Sequence, residues 1–457
     1  MAVLDQLEPK NVFRFFEQMC AIPHGSYNTK AVSDWCVAFA KERGLEHYQD
    51  EMNNVILIKE ASAGYEEAQP VILQGHLDMV CEEAPGCEKD MAREGLDLAV
   101  EGDYIYAEGT TLGGDDGIAV AMALAALDDE SLPHPRLEVI LTTEEEVGMD
   151  GAMALDVSPI RGRKLLNLDS EVEGVFTVSC AGGSMAACGL PVARAPFGGD
   201  ILRVRVAGLT GGHSGAEIHK GRANANMLLG RLLRAMAAEA VVAAEDGRKA
   251  KAAAERMAAC FQTEYRRSDP MLTVTAEEAA AAWQPMDASS TERTVCLLAC
   301  APNGVQTMSQ DIHGLVQTSL NLGILKTGEN AVTASFCIRS SVDSEKEMLK
   351  DRLACLLAQL GGGVSFSGEY PGWAYRPDSP LRELMTEVYR EQYGREPKVE
   401  AIHAGLECGL LAGKLPGLDC VSIGLDLLEI HTPREKMSIS SVQRVWAFVR
   451  EVLKRSK

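Results

Sequence analysis

The chain has 457 residues, 46% hydrophobic and 24% charged, with a net charge of −22 from 44 basic and 66 acidic side chains. That length suits two globular domains with sizeable cores. The acidic balance argues against a nucleic-acid partner, whose phosphates are held by Lys and Arg. No apolar run reaches the roughly 20 residues of a membrane helix, so no membrane partner is expected.

The first segment, MAVLDQLEPKNVFRFFEQMC, carries acids and no long apolar run, which is not the pattern of a secretory signal. The 13 cysteines have no paired spacing, so they do not read as a disulfide framework. The apolar contexts of Cys296, Cys300 and Cys420 predict buried, reduced thiols and a cytoplasmic protein.

Three stretches in the first 180 residues, PVILQGHLDMV, RLEVILTTEEEVG and RKLLNLDSE, begin with apolar or β-branched runs and read as buried strands. Between them DDGIAVAMALAALDDE reads as a helix whose acids, Asp115 and Asp116, favour its N-terminus. Strands alternating with helices predict an α/β layer with a mixed, largely parallel sheet. From about Phe197 the texture changes. ILRVRV alternates apolar and basic residues, the pattern of a strand wet on one face. The stretch GRANANMLLGRLLRAMAAEAVVAA follows as an amphipathic helix, GRKAKAAAERMAAC as a surface helix, and AWQPMDASSTERT as a loop. The strand NAVTASFCIRSS and the helix SEKEMLKDRLACLLAQL complete a smaller α+β domain of open-sandwich type. After GEYPGWAYRPDSP, the helix LRELMTEVYREQYG, the strand LDCVSIGLDLL and the helix SSVQRVWAFVREVLKRSK return to the first domain. The expected division is residues 1–182 and 371–457 against an insertion at 183–370.

The acids and histidines fall at telling places. His76 and Asp78, the run Glu144–Glu145–Glu146, Asp169 and His431 each follow a predicted strand, and Asp115 opens a helix. In an open α/β sheet the C-terminal strand edge is where sites form. Taken singly, a His-x-Asp pair reads as a surface pair, a glutamate run as a solvated face, and an Asp before a helix as a cap. Together they offer imidazole and carboxylate without thiolate, a donor set for zinc or a similar divalent ion. His76, Asp115, Glu146, Asp169 and His431 could hold two ions, one imidazole each, with one carboxylate between them. Such a pair activates water and polarises a carbonyl, and a further carboxylate moves protons.

The motifs GHLDMV, LGGDDGIAVAMALA, TTEEEVGMDGA, LLNLDSEVEG, GGHSGAEIHKGRANA, HAGLECG and EIHTPREKMSIS, in this order, resemble the di-zinc exopeptidase family that includes aminoacylase, carboxypeptidase G and the tripeptide aminopeptidases. Within that family they are similar to the aminoacyl-histidine dipeptidase branch, over almost the whole chain. The resemblance implies a zinc-exopeptidase-like catalytic domain with an inserted lid of the dimerisation type, and a homodimer. It assigns His76 and Asp169 to one zinc, Glu146 and His431 to the other, and Asp115 to both. It makes Glu145 the general base and Asp78 the carboxylate that orients His76. His213 would stabilise the oxyanion from the middle domain, and Arg339 would grip a substrate carboxylate. Asn321, His219 and the loop around Gly405 would contribute further substrate contacts. Glu144 stands where the family has Asp, and Asp116 is not expected to be a ligand. The implied reaction is hydrolysis of small peptides, Xaa-His dipeptides such as β-alanyl-histidine foremost, with manganese or cobalt as alternatives to zinc. Other amidohydrolase activities (aminoacylase, deacetylase or tripeptidase) and a catalytically inactive scaffold are the competing readings.

Overall fold

A computed structural model of the chain describes residues 3–196, 198, 201–239, 246–278 and 284–457. Phe197, residues 240–244 of the expected amphipathic helix and residues 282–283 of the expected loop lie outside them.

The chain divides into two compact units. The first comprises Met1–Ser179, Tyr375–Ala401 and Leu406–Lys457, and the second Cys180–Ala374 with Ile402–Gly405. The short return to the second unit has a local cause. The imidazole of His403 lies 2.7 Å from the Ser319 hydroxyl, and the carbonyl of Ala404 accepts the N–H of Ala181 at 2.9 Å.

The first unit is built on an eight-stranded sheet. Its centre is four parallel strands: β1 (Val71–His76), β2 (Leu137–Thr142), β3 (Lys164–Ser170) and β4 (Asp419–Gly424), in the order β2-β1-β3-β4. Every residue of β1, β2 and β4 is buried. This is why stretches such as residues 71–73 and 139–142 are apolar or β-branched without alternation: a parallel sheet is covered on both faces. Strands Val55–Lys59 and Glu46–Gln49 extend one edge antiparallel, and Val175–Cys180 and Lys398–Ile402 complete the other.

Helix α1 (Gly114–Asp128) is buried on nearly all sides, packed between the sheet and the helix Lys10–Cys20. A helix apolar all round belongs in a core, and each fully buried Leu, Ile or Val contributes about 1.5–3 kcal/mol. Close approach depends on Gly75. A Cβ there would stand 2.5 Å from Oδ2 of Asp116 and 2.9 Å from the Cβ of Ala119.

The start of α1 departs from the expected cap. Gly113 has φ 67°, Asp115 and Asp116 are non-helical, and no side chain caps the helix. The two aspartates are joined by a cis peptide bond. Their carboxylates are used elsewhere, as described below.

The second unit holds a five-stranded sheet that includes Gly182–Pro191, Val316–Thr327 and Ala331–Ser340, paired antiparallel, with helix Asp343–Gln359 against it. A two-stranded ribbon, Leu202–Ala207 with Thr273–Glu278, packs under the helices Ala225–Glu239 and Asp246–Glu264. Two readings are corrected here. The stretch read as a loop through Thr294 turns into a helix, Ala288–Cys300, because Asp287 caps it by accepting the N–H of Ser290 at 2.7 Å. Cys300 on that helix is exposed and Cys296 half-buried, since Val295, Leu297 and Leu298 take the inward face. Cys420 is buried, and none of the cysteines described forms a disulfide.

Candidate metal centre

The C-terminal ends of the parallel strands deliver the acids and imidazoles to one edge. His76 closes β1, Glu144–Glu146 follow β2 directly, Asp169 sits near the end of β3, and His431 follows β4. Asp115 enters from the non-helical first residues of α1.

Asp115 lies at the centre. Its Oδ1 is 3.1 Å from Nε2 of His76, and its Oδ2 is 3.2 Å from Nε2 of His431. Nε2 of His76 is also 3.9 Å from Oδ1 of Asp169, and Nε2 of His431 is 3.0 Å from Oε1 of Glu146. Among the described residues, three groups could each converge on a cation: His76–Asp116–Asp169, His76–Glu145–Glu146 and Asp115–Glu146–His431.

Asp116 belongs to the first group, yet its Oδ2 is already occupied by the N–H of His76 at 3.1 Å. That bond ties the end of β1 to the start of α1.

Electrostatics follow from crowding and burial. Burial alone would depress His76, but Asp115, Asp78, Asp169 and Asp116 hold it well above the ordinary imidazole value. Asp115 and Glu146 push His431 up to about 10. Burial, then the charges of Glu146, Asp115 and Asp78, raise Glu145 to about 7, with His76 working against them. Asp169 is raised by burial and by Asp116. Asp115 is the exception: its two imidazoles outweigh burial and lower it.

The donor set fits divalent cations. Nδ1 of His76 lies 2.9 Å from the main-chain carbonyl of Asp78. A carbonyl only accepts, so Nδ1 carries a proton, and Nε2, which faces Asp115 and Asp169, is the nitrogen left for a second proton or a metal ion. A lone pair facing carboxylates calls for a proton or a cation between them. The buried Oε1 of Glu146 faces Nε2 of His431 at 3.0 Å without hydrogen-bond geometry, as two ligand atoms of one cation would.

The loops are held by carboxylates that local sequence did not single out. Glu435 accepts from four consecutive main-chain N–H groups, Leu112 at 2.9 Å, Gly113 at 3.2 Å, Gly114 at 2.8 Å and Asp115 at 3.4 Å. It thereby fastens the Asp115 turn to the His431 loop. Glu144 turns away from the cluster and accepts from the N–H of Tyr27 at 2.6 Å and the hydroxyl of Thr29 at 3.2 Å. Neither role has a short-range signal, because the partners lie more than a hundred residues away along the chain.

Asp78 has a broader part than orienting His76. Its carboxylate is 3.6 Å from Nδ1 of His76, while it accepts from the N–H of Glu145 at 3.1 Å, the N–H of Glu146 at 3.4 Å and the hydroxyl of Ser26 at 2.8 Å. It anchors the glutamate turn as much as the imidazole.

The sequence pattern described as peptidase family M20/M25/M40 matches residues 72–455. The chain belongs to this family. The cytosol non-specific dipeptidase of Escherichia coli (strain K12) is 35% identical to this M20 peptidase, aligning 99% of each chain. The crystal structure of aminoacylhistidine dipeptidase from Vibrio alginolyticus superposes with a TM-score of 0.94 at 34% identity, covering 99% of this chain and 97% of that one. Aminopeptidase PepT from Bacillus cereus ATCC 10987 shares the fold, with a TM-score of 0.62 at 17% identity over 98% of this chain and 99% of that one.

The remaining candidates of this M20 peptidase belong to the second unit. His213 lines a cavity of about 580 Å³ with His219, Asn224 and Asn321. Its Nδ1 accepts the N–H groups of Ala216 at 2.9 Å and Gly215 at 3.2 Å, so the ring proton resides on Nε2. Oδ1 of Asn321 accepts from Asn224 at 3.0 Å. Arg339 donates from Nη1 to the Tyr370 hydroxyl at 3.1 Å, and its buried Nε has no hydrogen bond. Gly215 packs against Arg339 and the His403 carbonyl, where a Cβ would not fit. Gly405 is half-buried in the loop that follows His403.

Proposed function

We propose that this protein is a metal-dependent dipeptidase that hydrolyses dipeptides, with Xaa-His substrates such as β-alanyl-histidine among them and broad tolerance beyond. The observation that carries this reading is Asp115 standing between two imidazoles with Glu145 and Glu146 beside them. The names of the two relatives above 30% identity support the dipeptide class.

His76, Asp115 and Asp169 on one side, and Asp115, Glu146 and His431 on the other, would hold two divalent ions, zinc in the first place. When bound, the ions supply Lewis-acid polarisation of the scissile carbonyl and make water acidic enough to ionise near neutrality. Glu145 then takes a proton from the attacking water and returns it to the departing amino group. Asp78 holds Glu145 for this task through its main-chain N–H. In the second unit, which we read as a lid and dimerisation unit, the Nε2–H of His213 is free to donate to a developing oxyanion. Arg339 offers a planar fork to the substrate carboxylate, with Asn321 and Gly405 contributing contacts.

No helix among the described residues is long and apolar enough to cross a membrane. The name of the cytosolic relative supports a cytoplasmic enzyme acting on small peptides, and the reading of the second unit as a dimerisation unit makes it a homodimer.

The test is hydrolysis of β-alanyl-histidine and a panel of dipeptides, against N-acetyl amino acids and tripeptides, after reconstitution with zinc, manganese or cobalt. Turnover of dipeptides that a chelator abolishes is expected. Turnover confined to N-acetyl amino acids or tripeptides overturns the dipeptidase reading. Absence of both hydrolysis and bound metal makes the protein a scaffold.

A further inference from the structure

One buried acid beside the metal centre has no part in the chemistry above. Glu407 opens helix α2 (Glu407–Lys414) and is fully buried. Its Oε2 accepts from Nε2 of Gln74 at 2.6 Å and from the hydroxyl of Thr142 at 2.6 Å. Oε1 of Gln74 in turn accepts from Nδ2 of Asn167 at 2.5 Å.

These partners are placed with regularity. Gln74 lies on β1 two residues before His76, and Asn167 lies on β3 two residues before Asp169. Side chains two apart on a strand share a face, so each amide sits one layer behind the imidazole or carboxylate ahead of it. Thr142 ends β2, immediately before the turn of Glu144–Glu146. In the sheet, Gln74 pairs with Asn167 and His76 with Thr142. One carboxyl group therefore joins β2 to β1 and, through Gln74, to β3, just beneath the candidate ligands.

Burying a carboxyl at this depth is costly unless its bonds are needed. Burial and the nearby charge of Glu145 raise it to about 8, which favours the uncharged form. A neutral carboxyl adds no charge to an already acidic cluster, yet still accepts the two hydrogen bonds.

We propose that Glu407 is a positioning residue, which through Thr142 and Gln74 sets the spacing of the three strand ends that carry His76, Glu145–Glu146 and Asp169. The proposal rests on the metal-hydrolase reading for its functional meaning, but its structural content is testable without metal.

The experiment compares wild type, Glu407→Gln, Glu407→Ala and the milder Thr142→Val. In chelator-stripped protein, amide hydrogen exchange read by mass spectrometry reports on residues 71–78 and 137–146. Zn2+ titration and dipeptide kinetics follow. Glu407→Ala is expected to speed exchange at both strand ends, weaken Zn2+ binding by roughly 10–100-fold and lower kcat more than it raises KM. Glu407→Gln, which keeps an acceptor of the same shape, is expected to restore exchange, affinity and kcat to within about threefold of wild type. Thr142→Val, which removes one bond without a cavity, is expected to fall between and keeps the test available should Glu407→Ala fail to fold.

The proposal is overturned if folded Glu407→Ala or Thr142→Val shows wild-type exchange and Zn2+ affinity, or if Glu407→Gln is as impaired as Glu407→Ala. A wild-type protein that binds no divalent ion sinks the metal reading instead, and leaves the exchange result to decide the brace alone.

Discussion

Nε2 of His431 lies 3.2 Å from Oδ2 of Asp115, although 316 residues of chain separate them. The other oxygen of the same carboxylate faces His76 at 3.1 Å. A single short side chain thus joins the two halves of the cluster, and its loss should be felt by both.

Asp115→Ala is therefore expected to bind less than one divalent ion per chain by elemental analysis, where wild type binds about two. Hydrolysis should fall by at least 10³-fold, since water activation depends on the bound ions. Full metal content in Asp115→Ala would sink the bridging role.

The three consecutive glutamates are distinguished by where they point. Glu144 is spent on Tyr27 and Thr29, Glu146 faces His431, and Glu145 is anchored by Asp78 through its main chain. Glu145→Gln should retain both ions and lose about 10²–10⁴-fold in kcat with KM little changed, the range general-base removal costs. Glu144→Gln should lose far less. If the two variants exchange these phenotypes, the assignment of the base is off by one residue.

Much of this arrangement was legible because strands and ligands follow physical rules that act locally. β1 and β2 are buried on both faces, so they carry apolar or β-branched stretches without alternation, and the acids just after them mark the strand edge. The convergence of His76, Asp115, Glu146, Asp169 and His431 follows from parallel strand order. Legibility ended where a partner is distant in sequence or where one residue overrides composition. Asp287 converts a polar Ser/Thr stretch into the first turns of a helix by capping it. Asp115 and Asp116 precede an apolar helix yet cap nothing, because tertiary partners claim their carboxylates. Glu435 and Glu407 bond to residues more than 300 positions away, and no periodicity records such a pairing. The exposed Cys300 shows the same limit: its neighbours are apolar, but the helix turns it outward.

Glu435 provides a test of how strictly the Asp115 turn must be held. It is 3% exposed and satisfies four main-chain N–H groups. Glu435→Ala leaves those donors buried without partners, at about 1–3 kcal/mol for each one that finds no substitute. The variant is expected to unfold at lower temperature and to bind Zn2+ about 10–100-fold more weakly. Calorimetry and metal titration on the same preparation check both. A variant that loses stability alone, with unchanged affinity in the folded protein, would show that the turn keeps its shape without Glu435.

The second unit offers a pH dependence that involves none of the candidate metal ligands. His403 is 6% exposed and its Nε2 lies 2.7 Å from the Ser319 hydroxyl. Burial, followed by the charges of Arg339, His213 and His219, lowers it from 6.5 to about 4. Between those values the unfolded chain binds a proton that the folded unit excludes, so stability rises with pH across this window. The contribution is complete above pH 6.5 and is lost as the pH falls toward 4, amounting to about 2 kcal/mol by pH 5. His403→Gln has no such titration. Its stability deficit relative to wild type should therefore shrink by about 2 kcal/mol between pH 8 and pH 5, as measured by denaturant unfolding of the metal-free proteins. A deficit that stays constant over that range would mean His403 is not held neutral by its surroundings.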